Sequence, residues 1–175
     1  FGAVPNSLVS LRQLYNDVYK PGRYENLWFV WKGKPCIMAY PDNLTDSPED
    51  KAIRDFFTFR PGQPDYVDGP FPTRKDQWSW LEIYPQHGYI KGPGGFEQVS
   101  VGVAQNTSPD RKGHCGAFNV KDAYGRNFSV LKGFAPRVDG YLYGWNFQEQ
   151  WNRAFELDPE LVFVTEWNEF IAGQW

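Results

Sequence analysis

The sequence predicts an α/β fold of the TIM-barrel type, in which about five parallel strands are visible. Short apolar segments alternate with helices or long loops, which is typical of parallel strands joined by crossovers. No Asn-Gly pair, a strong signal for a tight hairpin, occurs in the chain. Because a closed barrel has eight strands and about 250 residues, we expect residues 1–175 to form a single catalytic-domain portion, the C-terminal part of a larger barrel.

The first half of the chain predicts two helices and two strands. A helix begins near Ser7, with apolar residues recurring at helical spacing. Residues 34–41 form an apolar segment bounded by prolines, which predicts a buried strand. The segment 47–50 (Ser-Pro-Glu-Asp) predicts a helix start, with a capping serine, a proline in the first turn and acids against the helix dipole. That helix must be short, because residues 55–60 predict the second strand.

The second half predicts three more strands and one helix. Residues 78–85 predict the third strand, and residues 98–104, with alternating valines, predict the fourth. Residues 105–143 are irregular, and a loop of that length in a compact domain is usually functional. A helix is expected over 146–157, followed by the last strand over 161–165. The predicted apolar face of this helix comprises Phe147, Trp151, Ala154 and Phe155.

Charge and motif content exclude several functional classes. The formal net charge of −3 argues against nucleic-acid binding, which usually requires a basic surface. No apolar segment is long enough to span a membrane. Neither a phosphate-binding loop nor a dinucleotide fingerprint occurs, and no metal-ligand spacing is recognisable, so we expect no cofactor. Cys36 and Cys115 predict no zinc site; Cys36 is expected to be a buried thiol, with a bridge to Cys115 as the alternative.

Aromatic residues are abundant. They make up 18% of the chain and include 8 tryptophans. Tryptophan and tyrosine rings stack on the apolar faces of sugar rings, while their polar groups bind hydroxyls. The alternative explanation is a tryptophan-rich core, and composition alone does not decide between the two.

The strongest candidate site follows the last predicted strand. In βα barrels the functional residues lie where strands end and loops begin. Here the strand leads into Glu166, Trp167, Asn168 and Glu169. Glycoside hydrolysis requires two carboxyl groups, one that protonates the leaving oxygen and one that attacks or activates water. We therefore expect Glu166 and Glu169 to be catalytic and Trp167 and Asn168 to bind substrate; the alternative is a solvated glutamate at the rim.

A second candidate site lies on the third predicted strand. Glu82 is flanked by Trp80 and Tyr84, and Gln86 follows at the strand exit. A glutamate in an apolar strand is costly unless it is paired or functional. We expect Glu82 to be catalytic and its three neighbours to bind substrate.

Two other predicted strand ends carry polar groups. Arg60 ends the second strand, where a guanidinium can clamp a carboxylate. Gln105 and Asn106 follow the fourth strand and are expected to bind sugar hydroxyls. The alternative role for Glu82 is a structural ion pair with Arg60 or Arg74.

The last 30 residues resemble the C-terminal part of barrel glycosidases, above all families 71 and 99. The resemblance rests on a helix with Trp151, then a proline, then a strand leading to Trp167-Asn168-Glu169-Phe170, and on the Gly-Lys-Pro that introduces residues 33–38. It covers about 50 residues and departs from the family pattern at 171–173 (Ile-Ala-Gly). It implies a (β/α)8 barrel acting on α-mannans or α-glucans, with Trp167, Asn168 and Glu169 lining the site.

These patterns together predict a glycoside hydrolase with paired carboxylates that is secreted, periplasmic or at the cell surface. The expected partners are a carbohydrate substrate and either the missing N-terminal part of the barrel or another chain. One alternative is a non-catalytic carbohydrate-binding protein on a degenerate barrel. Another is a lyase or a metal-dependent hydrolase on the same fold.

Overall fold

A computed structural model describes residues 5–62, 67–110, 116, 119–134 and 137–167. These residues form a small α+β fold with three α-helices and two mixed sheets of three strands each. The chain divides into two compact units, which are described separately. The first unit comprises Phe1–Gly62 and Asp76–Trp78, and the second comprises Gln63–Lys75 and Ser79–Trp175.

The predicted parallel barrel is wrong. In the first sheet, β1 pairs antiparallel with β2, and β2 pairs parallel with β3. In the second sheet, β4 pairs antiparallel with β5, and β5 pairs parallel with β6. The bounds are Val30–Trp31 (β1), Lys34–Ile37 (β2), Thr58–Phe59 (β3), Tyr89–Gly92 (β4), Gly95–Gly102 (β5) and Leu161–Thr165 (β6). Each sheet thus contains one hairpin that the sequence did not predict.

Both hairpins have two-residue loops. Lys32 and Gly33 connect β1 to β2, and both have positive φ angles (52° and 84°), the backbone geometry that matches the twist of paired strands. Pro93 and Gly94 connect β4 to β5. The third predicted strand is also wrong, because residues 79–86 form no strand and only Trp78 makes a bridge, to Gly62.

The helices of the first unit form where the sequence predicts them. Helix α1 spans Pro5–Leu14 and continues as one π-helical segment over Tyr15–Tyr19. Helix α2 spans Pro48–Phe56, and its capping residue Ser47 accepts a hydrogen bond from the Asp50 amide at 3.2 Å. Apolar side chains from both helices and from β2 and β3 form the core of this unit: Leu11, Tyr15, Ile37, Ala39, Leu44, Ile53, Phe57 and Phe59.

An ion pair joins α1 to α2. Arg12 donates from Nε and Nη2 to the two carboxylate oxygens of Asp50, at 2.8 and 2.7 Å. The backbone amide and hydroxyl of Thr45 also donate to Asp50, at 2.7 and 2.6 Å. The Arg12 guanidinium holds the pKa of this buried carboxyl well below its usual range. The pair therefore fixes the two helices against each other through a fully buried charge.

In the second unit, helix α3 (Trp145–Leu157) packs on β5 and β6. Val99, Val101 and Ala154 form the buried core there, and Phe147 and Trp151 are partly buried against it. The predicted apolar face of α3 is only partly correct, since Phe155 is 69% exposed whereas three polar residues of the helix are buried. Those three are Asn146, Glu149 and Gln150.

None of the helices in the described ranges is long and apolar enough to cross a lipid bilayer.

Candidate functional site

The parallel pair β5–β6 brings two chain segments to one edge of the second sheet. Gly102 pairs with Thr165, so both strands end at the same level. Gln105 and Asn106 follow β5, and Glu166 follows β6. Because the carboxyl ends of β5 and β6 lie at the same edge of the sheet, these polar residues lie near one another, even though the sheet is not a barrel.

Glu166 leaves β6 in an unusual backbone conformation. Its φ angle is +65°, in the left-handed region that residues other than glycine rarely adopt. Its carboxylate lies against Gly102, where an added Cβ would overlap both that carboxylate and the side chain of Gln105. The absence of a side chain at Gly102 thus makes room for Glu166. Strained backbone of this kind concentrates at functional sites.

Glu82 is fully buried in the same unit and accepts three hydrogen bonds. Its Oε1 atom lies 2.6 Å from the Tyr89 hydroxyl and 3.1 Å from His87 Nδ1. Its Oε2 atom accepts the backbone amide of His87 at 2.9 Å. Among the described residues, His87 and Tyr89 donate the hydrogen bonds that hold this carboxylate. We call Glu82, His87 and Tyr89 the Glu82 cluster.

His87 is the accessible member of the Glu82 cluster. Its side chain is 37% exposed, whereas that of Glu82 is not exposed. The hydrogen bond to Glu82 raises the pKa of the imidazole above its ordinary value, against the opposing effect of partial burial. The ring also packs over Gly69, where an added Cβ would lie 2.6 Å from the imidazole. Glu82 therefore orients a protonatable ring that solvent can reach.

Replacing Glu82 by glutamine is expected to lower the pKa of His87, because an amide offers no negative charge to the imidazolium. The pKa can be measured by NMR titration of the imidazole resonance.

Since the pKa of His87 is raised in the folded state, its stabilising effect is complete below about pH 6.5 and is lost as the pH rises through the raised value.

The control for this titration is Glu25→Gln, an exposed glutamate of the first unit. It should leave the His87 pKa unchanged. An unaltered His87 pKa in the Glu82→Gln variant would show that the Glu82–His87 contact does not hold in solution.

A second set of buried polar side chains surrounds Gln150 on α3. Gln150 Oε1 accepts hydrogen bonds from Gln86 Nε2 (3.1 Å), Gln105 Nε2 (3.0 Å) and the Gly102 amide (2.8 Å). Its Nε2 atom donates to the carbonyl of Gly102 at 3.1 Å and to Asn146 Oδ1 at 3.0 Å. We call Gln86, Gln105, Asn146 and Gln150 the Gln150 network.

The Gln150 network is hydrogen-bonded to the backbone carbonyl of Glu82. Gln86 Nε2 donates to the Glu82 carbonyl at 3.0 Å, and Gln105 Nε2 donates to the same oxygen. Because Gln105 and the Glu166 carboxylate both lie against Gly102, the structure brings Glu82, Gln86, Gln105 and Glu166 into one polar region. Glu82, Gln86 and Glu166 were predicted as site residues, and Gln105 was expected, together with Asn106, to bind sugar hydroxyls.

This polar region retains unused hydrogen-bonding capacity. Within the described part of the chain, the buried atoms of this region that have no hydrogen-bond partner include Gln86 Oε1, Gln105 Oε1, Asn146 Nδ2 and Thr165 Oγ1. Buried polar groups are nearly always paired in folded proteins. Two acceptors, a donor and a hydroxyl suit a ligand whose groups both donate and accept, as hydroxyl groups do.

Two other buried polar residues have structural contacts. Asn106 accepts the Gly125 amide at 2.6 Å and donates to the Gly116 carbonyl at 3.2 Å, so both ends of its amide hold the following loop. Glu149 accepts hydrogen bonds from the Ser129 hydroxyl at 2.6 Å and from two backbone amides of the same turn. Its carboxylate fastens that turn to α3.

The remaining predicted residues are distributed between the units. Arg60 belongs to the first unit, where it donates to the Phe59 carbonyl at 2.8 Å and lies over the Trp78 ring at 5.6 Å from its centroid. Trp80 and Tyr84 are half-buried in the second unit, and Trp167 is 62% exposed. Asn168 and Glu169 lie outside the described residues, as does Cys115.

The sequence analysis assigned no role to several residues of the site. His87 and Tyr89 follow Glu82 at intervals of five and seven residues through irregular chain, which has no periodic signal. Asn146 and Gln150 do have a periodic signal, because positions four apart lie on the same face of a helix. Two polar residues at that spacing on the buried side of an amphipathic helix indicate a buried polar network.

Within the described ranges, no group of three histidine, cysteine or carboxylate side chains is arranged to hold a metal ion. Comparisons with protein-family models, with curated proteins and with solved structures give no match to this chain. Function must therefore be argued from the chemistry of the polar region itself.

Proposed function

We propose that this chain hydrolyses glycosidic bonds of a poly- or oligosaccharide. The proposal rests on the backbone conformation and the surroundings of Glu166. It combines a left-handed backbone with a carboxylate that is packed against Gly102 in a polar region and is followed by the exposed ring of Trp167. Glycosidases combine carboxyl groups that transfer protons with exposed aromatic rings on which a sugar stacks, and Glu166 and Trp167 supply one group of each kind at consecutive positions.

The second carboxyl required by this chemistry is Glu82 or Glu169. Glu82 is a buried carboxyl that faces three hydrogen-bond donors, and it acts on a substrate through His87, the exposed member of its cluster. The spare donors and acceptors of the Gln150 network supply contacts for sugar hydroxyls. The proposal therefore assigns proton transfer to the carboxyls and substrate orientation to the amides.

Glu166→Gln is expected to lower turnover by about 100-fold or more, because loss of a general acid or base costs about two to four orders of magnitude. The assay is reducing-end release from a panel of oligosaccharides, with the wild-type chain used to find the substrate. Glu82→Gln and Glu169→Gln are compared in the same assay to identify the second carboxyl.

The matched control is Glu156→Gln, an exposed glutamate of α3 paired with Arg153. Its turnover should equal that of the wild type. Wild-type turnover in the Glu166→Gln variant would refute the assignment of Glu166.

A non-catalytic carbohydrate-binding protein is the second candidate. It is favoured by the pairing of both Glu82 oxygens, which already accept hydrogen bonds from His87 and Tyr89. This candidate predicts that oligosaccharides bind without product release. It also predicts that Glu166→Gln changes affinity only modestly, which equilibrium binding measurements would detect.

A further inference from the structure

An open pocket of about 390 Å³ lies in the second unit between the segments 70–75 and 88–96. Three cationic side chains line it: Arg74, Lys75 and Lys91. None of the described residues that line the pocket is an aspartate or a glutamate, although the whole chain has a net charge of −3. The pocket is thus a local concentration of positive charge on an acidic protein.

Two aromatic rings belong to the apolar part of the pocket, together with Pro70, Pro72 and Ile90. The Phe96 ring lies directly on Gly88, where any Cβ would overlap it, and the ammonium of Lys91 is 5.7 Å from the ring centroid. Phe71 is 37% exposed on the opposite segment. The pocket therefore offers ring faces together with cations.

The backbone of the pocket is strained. Ile90 has a φ angle of +52°, although a β-branched residue very rarely adopts positive φ. Such conformations cost about 1–3 kcal/mol and persist mainly at functional sites. Here the strained residue lies between Gly88 and Lys91, both of which line the pocket.

The pocket adjoins the Glu82 cluster along the chain at both of its segments. Gly88 follows His87 directly, and Pro70 follows Gly69, on which the His87 ring packs. Both segments of the pocket are thus joined by one peptide bond either to His87 itself or to the glycine on which the His87 ring packs.

We propose that this pocket binds an anionic sugar unit, with its carboxylate or sulfate group at the three cations and its ring on the aromatic faces. The inference deepens the proposed function, on which it rests, by naming acidic carbohydrates as the substrate class. Lysines bind anions as point charges and arginine binds them bidentately, so the group of three suits either anion.

Binding of tetragalacturonic acid, its neutral methyl ester and a sulfated tetrasaccharide tests this inference by calorimetry. We expect at least one anionic probe to bind, and the ester to bind about tenfold more weakly. The Lys75→Gln/Lys91→Gln double variant should lose about tenfold in affinity for the anionic probe, and this affinity should fall as salt rises. Both lysines are exposed, so the fold should be unchanged. The control is Lys121→Gln, an exposed lysine of the same unit outside the pocket.

Equal affinity for acid and ester, or unaltered binding in the double variant, would overturn the pocket assignment. That failure is distinguishable from failure of the proposed function. Turnover of a neutral oligosaccharide that depends on Glu166 would leave hydrolysis standing without the pocket. Anion binding that depends on the two lysines, with no product from any substrate, would leave the pocket standing without hydrolysis.

Discussion

Replacing Asp50 by asparagine is expected to destabilise the first unit by about 1–3 kcal/mol, because the buried side chain loses charge-assisted hydrogen bonds from Arg12, which is itself 31% exposed and remains partly solvated. The Asp50 carboxylate has no solvent exposure and accepts four hydrogen bonds, two of them from Arg12. An asparagine amide would direct a donor at the guanidinium. Hydrogen exchange of the α1 and α2 amides measures the loss in this unit alone.

The same ion pair makes the stability of the first unit depend on pH. Since the pKa of Asp50 is lowered in the folded state, its contribution is complete above about pH 4 and is lost as the pH falls below that value. The difference between the wild type and Asp50→Asn should therefore shrink in acid. Asp55→Asn, an exposed aspartate of the same helix, is the control and should change stability little. A pH-independent difference would show that Asp50 acts through packing and not charge.

Locally encoded elements were predictable from the sequence. Helix α2 begins where expected, because Ser47 and Pro48 determine its first turn through capping and a fixed φ angle. Strands β5 and β6 follow from their β-branched, apolar residues. Pairing direction was not predictable, because it depends on turns. The Lys32-Gly33 loop requires a lysine with a positive φ angle, and it lacks the Asn-Gly sequence that is typical of such turns.

The candidate carboxylates could be singled out from the sequence more readily than their contacts. Glu82 and Glu166 stood out because a carboxylate at the end of an apolar segment is costly unless it has partners or a function. Their surroundings did not follow from sequence. The partners of Glu82 come from irregular chain and from β4, and the hydrogen bonds that link Gln86 and Gln105 pass through Gln150 on a distant helix. Long-range polar contacts of this kind have no local signature.

Gln150→Leu is expected to destabilise the second unit by about 3 kcal/mol or more, because each buried polar group left unpaired costs about 1–3 kcal/mol. The substitution approximately preserves volume but removes the acceptor shared by Gln86, Gln105 and the Gly102 amide. It also removes the donor to the Gly102 carbonyl. Hydrogen exchange of the β5 and α3 amides measures the loss within this unit.

Gln148→Leu is the matched control, since it makes the same chemical change two residues earlier on α3 at an exposed position. Among the residues that the structure describes, the Gln148 side chain bonds only to the side chain of Asn152, so its loss should cost less than about 0.5 kcal/mol. Equal effects of the two substitutions would mean that leucine perturbs the helix generally. A selective effect at Gln150 that also shifts the NMR resonances of Glu166 would show that the buried network is coupled to the carboxylate beside Gly102. That coupling would connect the fold of this unit to its proposed chemistry.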